Sequence, residues 1–291
     1  MDVHDYIFDG TRKFSLKDMP TNLKVDQAER EHYHEMTEAN VLKMADLQDR
    51  LYADGREGVV ILFQAMDAAG KDSTIKRVMS GLNPQGVVVH SFKQPSSLEL
   101  SHDYLWRAHV AMPPRGYIGL FNRSYYEDVL VTRVHGLERT YKLPGRCTEM
   151  SSEEFYDQRY RQIADFERYC SECGYRFLKV MLNVSKKEQR KRFLERIDDA
   201  AKNWKFSSSD IDERALFDDY MVCYQKAIER TARPWAPWMV VPADQKWVMR
   251  YLVSEAVVEL LEACDPRYPK MPADQLARLG ECRERLMAEK A

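Results

Sequence analysis

The sequence predicts an α/β fold, a parallel sheet of about five strands with helices on both faces and a helical lid. Three observations point there. Short apolar runs rich in β-branched residues, at 59–63, 87–90, 117–121, 176–182 and 238–242, alternate with longer helical patterns. Strands separated in this way by helices pair in parallel beneath helical layers. The first run passes directly into a loop of small residues ending Gly70-Lys71 and then into a helix. The fourth run is followed by a densely basic helix and a polar connection, the build of a segment that closes over an anion.

Taken in order, residues 1 to about 25 are polar and broken by Pro20, and read as an arm lying over the surface. A long charged helix spans 27–52, with Val41, Met44, Leu47 and Leu51 as its apolar stripe. His32 and His34, two apart, fall on different faces of it and read as surface residues, not a metal pair. Run 59–63 reads as a strand buried on both faces, and Ile75, Val78 and Met79 pack the following helix against it. A turn at 83–86 precedes the second buried strand, and a helix is expected from Pro95 through Trp106. The third strand is followed by a helix from Tyr125 to about His135, then by a loop at 137–150. Ser151-Ser-Glu-Glu154 has capping-box spacing and opens a helix to about Cys173. The fourth strand leads into the basic helix at Ser185, a connection at 204–210 and a helix over 211–231. The fifth strand and a helix over 244–264 close the sheet, and a tail with Pro266, Pro269 and Pro272 ends in a short charged helix. The expected organisation is an arm and helix (1–55), a main domain (56–264) with its lid around 185–232, and a tail (265–291).

At 291 residues the chain can bury a large core, and 44% hydrophobic with 31% charged residues describes an ordinary soluble protein. The net charge of −2 conceals basic residues clustered in the middle of the chain, so a positive cleft for an anionic ligand is compatible with overall neutrality. The first residues lack the basic-then-apolar build of a signal peptide. No apolar run approaches the ~20 residues of a membrane span. A cytoplasmic protein with no membrane partner is expected. The six cysteines are scattered; the lone Cys170-x-x-Cys173 pair reads as reduced helix thiols.

The chemistry concentrates between 65 and 77. Ala65-x-x-x-x-Gly70-Lys71-Asp72 is close to the phosphate-cradling pattern G-x-x-x-x-G-K-[ST], which narrows the fold to P-loop kinase-like. Ala68, Ala69 and Gly70 are small enough for backbone N–H groups to approach phosphate oxygens, and the helix start adds its positive dipole end. Lys71 brings a mobile positive charge. Asp72 stands where a hydroxyl residue usually holds Mg²⁺, with Ser73 and Thr74 one and two positions late, so Asp67 inside the loop is the candidate metal ligand. Lys76 and Arg77 follow on the helix, and Lys93 follows the second strand.

In open parallel sheets ligands bind beyond the carboxyl ends of the strands. The third strand delivers Asn122-Arg123-Ser124 there, and Arg123 would face a transferring phosphoryl group. Glu127 and Asp128 could serve a metal or a nucleotide base, and Arg133 could share their side of the helix; each could instead belong to a solvated face. Lys186, Lys187, Arg190, Arg192 and Arg196, with Lys205 beyond them, form the densest positive charge in the chain. No nucleic-acid motif or interleaved aromatics accompany it, so a lid over a polyanion is favoured over a nucleic-acid patch or a merely solvated face.

These segments together resemble one family. Gln64-Ala-Met-Asp-Ala-Ala-Gly-Lys-Asp72, Asn83-Pro-Gln-Gly86, Ser91-Phe-Lys-Gln-Pro95, Phe121-Asn-Arg-Ser-Tyr-Tyr-Glu-Asp-Val129, Asn203-Trp-Lys-Phe-Ser207 and Trp235-Ala-Pro-Trp-Met-Val-Val-Pro-Ala-Asp244 are similar to the polyphosphate kinase 2 family, from about residue 20 to 262. The resemblance implies a P-loop kinase-like enzyme that moves the terminal phosphoryl group between inorganic polyphosphate and a nucleotide, with Mg²⁺ as cofactor and Mn²⁺ as a substitute. It places Asp67, Lys71, Arg123 and Arg133 on phosphate and metal positions and Arg192 in the lid. Asn122 stands where much of the family has Asp, and Glu127 where it has Asn. That version resembles the subclass that phosphorylates both AMP and ADP, giving ADP and ATP; guanine nucleotides are further candidates. Self-association as a dimer or tetramer is also implied. The acceptor phosphate is already anionic, so positioning and charge stabilisation suffice without a strong base. Two alternatives are an ATP-dependent nucleoside monophosphate kinase, which needs an adenine pocket for its donor, and a non-catalytic nucleotide- or polyphosphate-binding regulator.

Overall fold

In the computed structural model, which describes residues 1–289, six strands form one sheet in the order β1-β6-β5-β2-β4-β3. The elements run β1 (Ile7–Phe8), α1 (Arg30–Asp54), β2 (Gly58–Ala65), α2 (Lys71–Val78), β3 (Val87–Ser91), α3 (Ser97–Leu100), α4 (Trp106–Val110), β4 (Ile118–Asn122) and α5 (Val131–His135). They continue with α6 (Ser152–Glu172), β5 (Tyr175–Asn183), α7 (Lys186–Asp198), α8 (Ser209–Ala215), α9 (Phe217–Thr231), β6 (Trp238–Pro242), α10 (Lys246–Ala263) and α11 (Ala273–Ala288). β2 to β6 pair in parallel, as expected of strands joined by helices.

β2 lies at the centre between β4 and β5, and Val59 to Phe63 are wholly buried, so a helical layer must cover each face. α1, α2 and α10 pack together as one layer, and α6 with α9 forms the other. The chain leaves β2 toward β3 on one side and crosses to β5 on the other. That makes the carboxyl end of β2 the switch point where a ligand crevice opens.

Five expectations need correction. The sheet has a sixth strand: Ile7 and Phe8 of the supposed surface arm pair antiparallel with Met239 and Trp238, and Val3, Tyr6, Phe8, Phe14 and Leu16 are buried. β3 is an edge strand and not a buried one, with Val89 59% exposed. The helix expected from Pro95 through Trp106 is two short helices, α3 and α4, and the one from Tyr125 is a 3-10 turn (Tyr125–Asp128) followed by α5. The segment 211–231 likewise divides at Leu216 into α8 and α9. The capping box at Ser151 and Glu154 forms in both directions, as its spacing requires. No described helix is long and apolar enough to cross a membrane.

Candidate active site

Two clefts open at the carboxyl end of the sheet, and they share Met66 and Asp67. The first, about 260 Å³, is built on the loop after β2. Ala68 (φ 62°) and Gly70 (φ 105°) both take left-handed backbone, and between them the Ala69 N–H donates to Met66 O at 3.1 Å, which tightens the loop. At φ 105° a side chain would be strained, so the second position requires glycine. The Gly70 carbonyl accepts from Ser73 Oγ and Thr74 Oγ1, each at 2.9 Å, and so fixes the start of α2. Lys71, Arg192, Arg196, Lys202, Lys205 and Lys246 line this cleft against Asp67, Asp72 and Glu195. Burial and nearby Arg123 push the Lys71 ammonium down to about 8. Lys246 is pushed down by burial and by Arg192. One turn further on, Arg250 lies among Arg77, Arg192 and Arg30, and its buried Nε has no partner among the described residues. Six cations against three carboxylates leave this cleft with an excess of positive charge, which suits a polyanion.

The second cleft, about 300 Å³, has the opposite character. Asp67, Glu127, Asp210 and Glu213 face Arg123, and Leu130, Val131, Tyr220 and Tyr224 form apolar and aromatic walls. Burial raises the Asp210 carboxyl, with Asp67 adding to the effect. Glu213, on α8, is held by Tyr220 Oη at 2.7 Å and His135 Nε2 at 2.9 Å.

Arg123 lines the second cleft and is tied to Asp67, which both clefts share. Its guanidinium donates to Asp67 at 3.0 Å and reaches Glu127 at 3.4 Å, and these carboxylates hold its pKa well above the usual arginine range. Its backbone is left-handed (φ 62°), and its N–H donates to Phe63 O at 3.0 Å. Buried Gln64, oriented with its amide nitrogen 2.9 Å from Glu127 Oε1, accepts from Ser124 and so fixes both flanks of the arginine. The Asp67 carboxylate, 36% exposed, opens on both clefts. Among the described residues no three His, Cys, Asp or Glu side chains form a metal cage. Mg²⁺ needs less, since one or two carboxylates plus substrate phosphates suffice, and Asp67 is suitably placed.

The structure thus brings together Asp67, Ala68, Ala69, Gly70, Lys71, Asp72, Ser73, Arg192, Arg196 and Lys205 at one cleft, and Asp67, Arg123 and Glu127 at the other. Other expected site residues lie elsewhere. Arg133 points away to Glu153 (2.5 Å), Tyr160 Oη (3.1 Å) and the Tyr156 ring. Asp128 is turned into the interior, where it accepts from Tyr141 Oη at 2.7 Å and where burial raises its carboxyl. Asn122 donates to Asp72 at 3.0 Å and lines neither cleft. Thr74 is buried beneath the loop, Arg77 pairs with Glu38 at 2.6 Å, and Lys76 and Lys93 are exposed outside both clefts.

Arg192 is not a free lid arginine. It is 4% exposed, and its guanidinium donates to Ala69 O (2.5 Å), Ala243 O (2.7 Å) and Glu188 (2.9 Å), clamping the phosphate loop from behind. Of the other cations expected in the lid, Lys186 pairs with Asp218 at 3.0 Å, and Lys187 and Arg190 face solvent. The residues that sequence reasoning did not single out are Gln64, Gln189, Lys202, Tyr220, Tyr224, Lys246 and Arg250. Gln189 donates to Asp67 O at 3.0 Å and accepts from Arg214 at 2.6 Å, which links α8 to the phosphate loop. Lys246 and Arg250 sit at i and i+4 on α10 and present one basic edge, the only local signal that could have found them.

The comparisons with known proteins converge on this architecture. A family model described as Polyphosphate kinase 2 matches residues 27–269. An ADP-polyphosphate phosphotransferase of Rhodopseudomonas palustris is 45% identical over 276 residues, covering 94% of this chain and 95% of the relative. An AMP/ADP-polyphosphate phosphotransferase of Meiothermus ruber is 44% identical over 228 residues, covering 78% of this chain and 80% of the relative. The crystal structure of polyphosphate kinase 2 from Arthrobacter aurescens superposes with a TM-score of 0.85 at 36% identity, covering 97% of each chain. The chain belongs to the polyphosphate kinase 2 family.

Proposed function

We propose that this member of the polyphosphate kinase 2 family moves the terminal phosphoryl group of inorganic polyphosphate to AMP and to ADP, reversibly and with Mg²⁺. The observation that carries the reading is the pair of unlike clefts meeting at Asp67 and Arg123. The basic cleft suits a donor that is all phosphate: it has six cations, and among the described residues no aromatic ring lines it. The second cleft, with Tyr220, Tyr224 and apolar Leu130 and Val131, suits a nucleotide. The names of the relatives in Rhodopseudomonas palustris and Meiothermus ruber support polyphosphate as donor and AMP and ADP as acceptors.

In this mechanism the polyphosphate end lies against the loop of Ala68 to Gly70, at the start of α2, and on Lys71, with its further units along Lys246 and Arg250. The acceptor phosphate enters from the other side, beneath Tyr220 and Tyr224. Arg123 spans the junction and stabilises charge on the transferring group in line between the two oxygens. Bound Mg²⁺, held by Asp67, would neutralise phosphate charge and orient donor and acceptor. No carboxylate need take a proton, because the attacking oxygen is already anionic. Gln64 and Gln189 keep Glu127 and the Asp67 backbone in place.

The test is nucleotide formation from AMP, and separately from ADP, with long-chain polyphosphate, Mg²⁺ and no ATP. Transfer to both acceptors supports the reading. Transfer to ADP alone removes AMP from it. Turnover only with ATP plus a monophosphate transfers the donor role to a nucleotide and refutes it.

A further inference from the structure

Directly behind the Arg123 loop the core contains an ion pair that the proposed chemistry never touches. Glu167 of α6 and Lys179 of β5 are both fully buried, with the Lys179 Nζ 2.6 Å from Glu167 Oε2. All three ammonium hydrogens have acceptors: Glu167, the Tyr126 hydroxyl at 3.0 Å and Thr231 O at 2.8 Å. Glu167 Oε1 lies 2.9 Å from the hydroxyls of both Tyr125 and Tyr126. Thr231 Oγ1 is 2.8 Å from the Tyr126 hydroxyl, accepts from Trp238 Nε1 at 2.9 Å and donates to Ala227 O at 2.6 Å. Burial pushes the carboxyl up and the ammonium down, and each charge is retained against that by the other.

Such a pair is weak evidence of stabilisation, since well-packed apolar residues usually serve a core as well or better. Its placement gives it another role. Tyr125 and Tyr126 are the second and third residues after Arg123, whose left-handed φ of 62° persists only where surrounding contacts over-determine it. Thr231 ends α9, the helix that carries Tyr220 and Tyr224 into the second cleft. One buried charge pair therefore anchors both the loop that aims Arg123 and the foot of the nucleotide wall.

Building on the function proposed above, we propose that Glu167 and Lys179 are positioning residues for phosphoryl transfer, acting through Tyr126 to hold Arg123 at the transferring group. They touch no substrate. Displacing a reacting group by about 1 Å costs on the order of a hundredfold in rate, so a loosened loop shows in kcat.

Removing one charge leaves the other unpaired in the core, so two gentler variants make the test. Tyr126→Phe deletes only the bridging hydroxyl, and Glu167→Leu combined with Lys179→Met replaces the pair by apolar side chains. Each is assayed with polyphosphate and ADP at a temperature where circular dichroism shows it fully folded. The expected result is a kcat lowered about tenfold to a hundredfold with the KM for polyphosphate unchanged, because the basic cleft does not touch the network. In an Arg123→Ala background the same substitutions should lower kcat no further, since both act on one group. Wild-type kcat in the folded variants, or full additivity with Arg123→Ala, overturns the proposal and leaves a purely structural pair. An inactive wild-type protein would refute the proposed function instead, so the two failures are distinguishable.

Discussion

The two clefts differ in charge, lining and origin although they share Asp67. The basic one is made largely of backbone and cations: a turn of left-handed residues, the start of α2, and lysines and arginines from α7, α10 and the connection at 202–205. The other is made of side chains on α5, α8 and α9, acidic at its mouth and aromatic within. A kinase using a nucleotide on both sides would need a ring-binding wall in each. Here one side is rich in cations and, among the described residues, has no aromatic wall, and that asymmetry argues for a polymeric phosphate donor. It also implies that substitutions should separate cleanly into donor and acceptor effects.

The strongest test is the residue that reaches both sides through its ion pair with Asp67. Arg123→Ala should lower kcat by about a thousandfold or more with either acceptor, and Arg123→Lys should not restore it, because a point charge cannot bridge Asp67 and Glu127 as a planar fork does. Steady-state rates with each substrate varied in turn check this. On the donor side, Lys246→Ala with Arg250→Ala should raise the KM for polyphosphate by about tenfold while leaving the nucleotide KM alone. The effect should shrink at high ionic strength, where exposed charge is screened. Equal shifts in both KM values would mean that the clefts are not separate.

On the acceptor side, Tyr220→Phe removes the hydroxyl that holds Glu213 and should raise the nucleotide KM by about threefold to tenfold, the worth of one hydrogen bond, with the polyphosphate KM constant. The smallest effect concerns pH. The free-enzyme Lys71 loses its proton near 8, so kcat/KM for polyphosphate should fall as pH rises through that value. A profile flat to about pH 9.5 would mean that Lys71 keeps its proton over this range. Its folded-state pKa lies below the ordinary 10.5, so the unfolded chain binds the extra proton between these values. The unliganded fold should therefore gain a little stability over the same range in which binding weakens.

Much of this is legible in the sequence. The five parallel strands and the loop from Ala65 to Lys71 are local patterns, set by residues within a few positions of one another. Arg123 was found because the end of a buried strand in such a sheet has only one place to go. The direction of side chains beyond that was not. Glu127 and Asp128 are neighbours on a 3-10 turn, so one faces the cleft and the other Tyr141. Arg133 lies on a helix short enough that a single residue decides which layer it meets.

The sequence by itself determined the five parallel strands, the loop between β2 and α2 and the family, because apolar periodicity and short-range loop chemistry are written in consecutive residues. Only the tertiary structure decided which cations line the basic cleft. Lys246 arrives from an element about 175 residues beyond Lys71 in the chain, whereas Lys187 and Arg190, in the most basic stretch, face solvent. It also decided that Ile7 and Phe8 form a strand, since a two-residue strand exists only through the edge it pairs with. Charge says what a residue can bind, and packing against distant elements says where it stands.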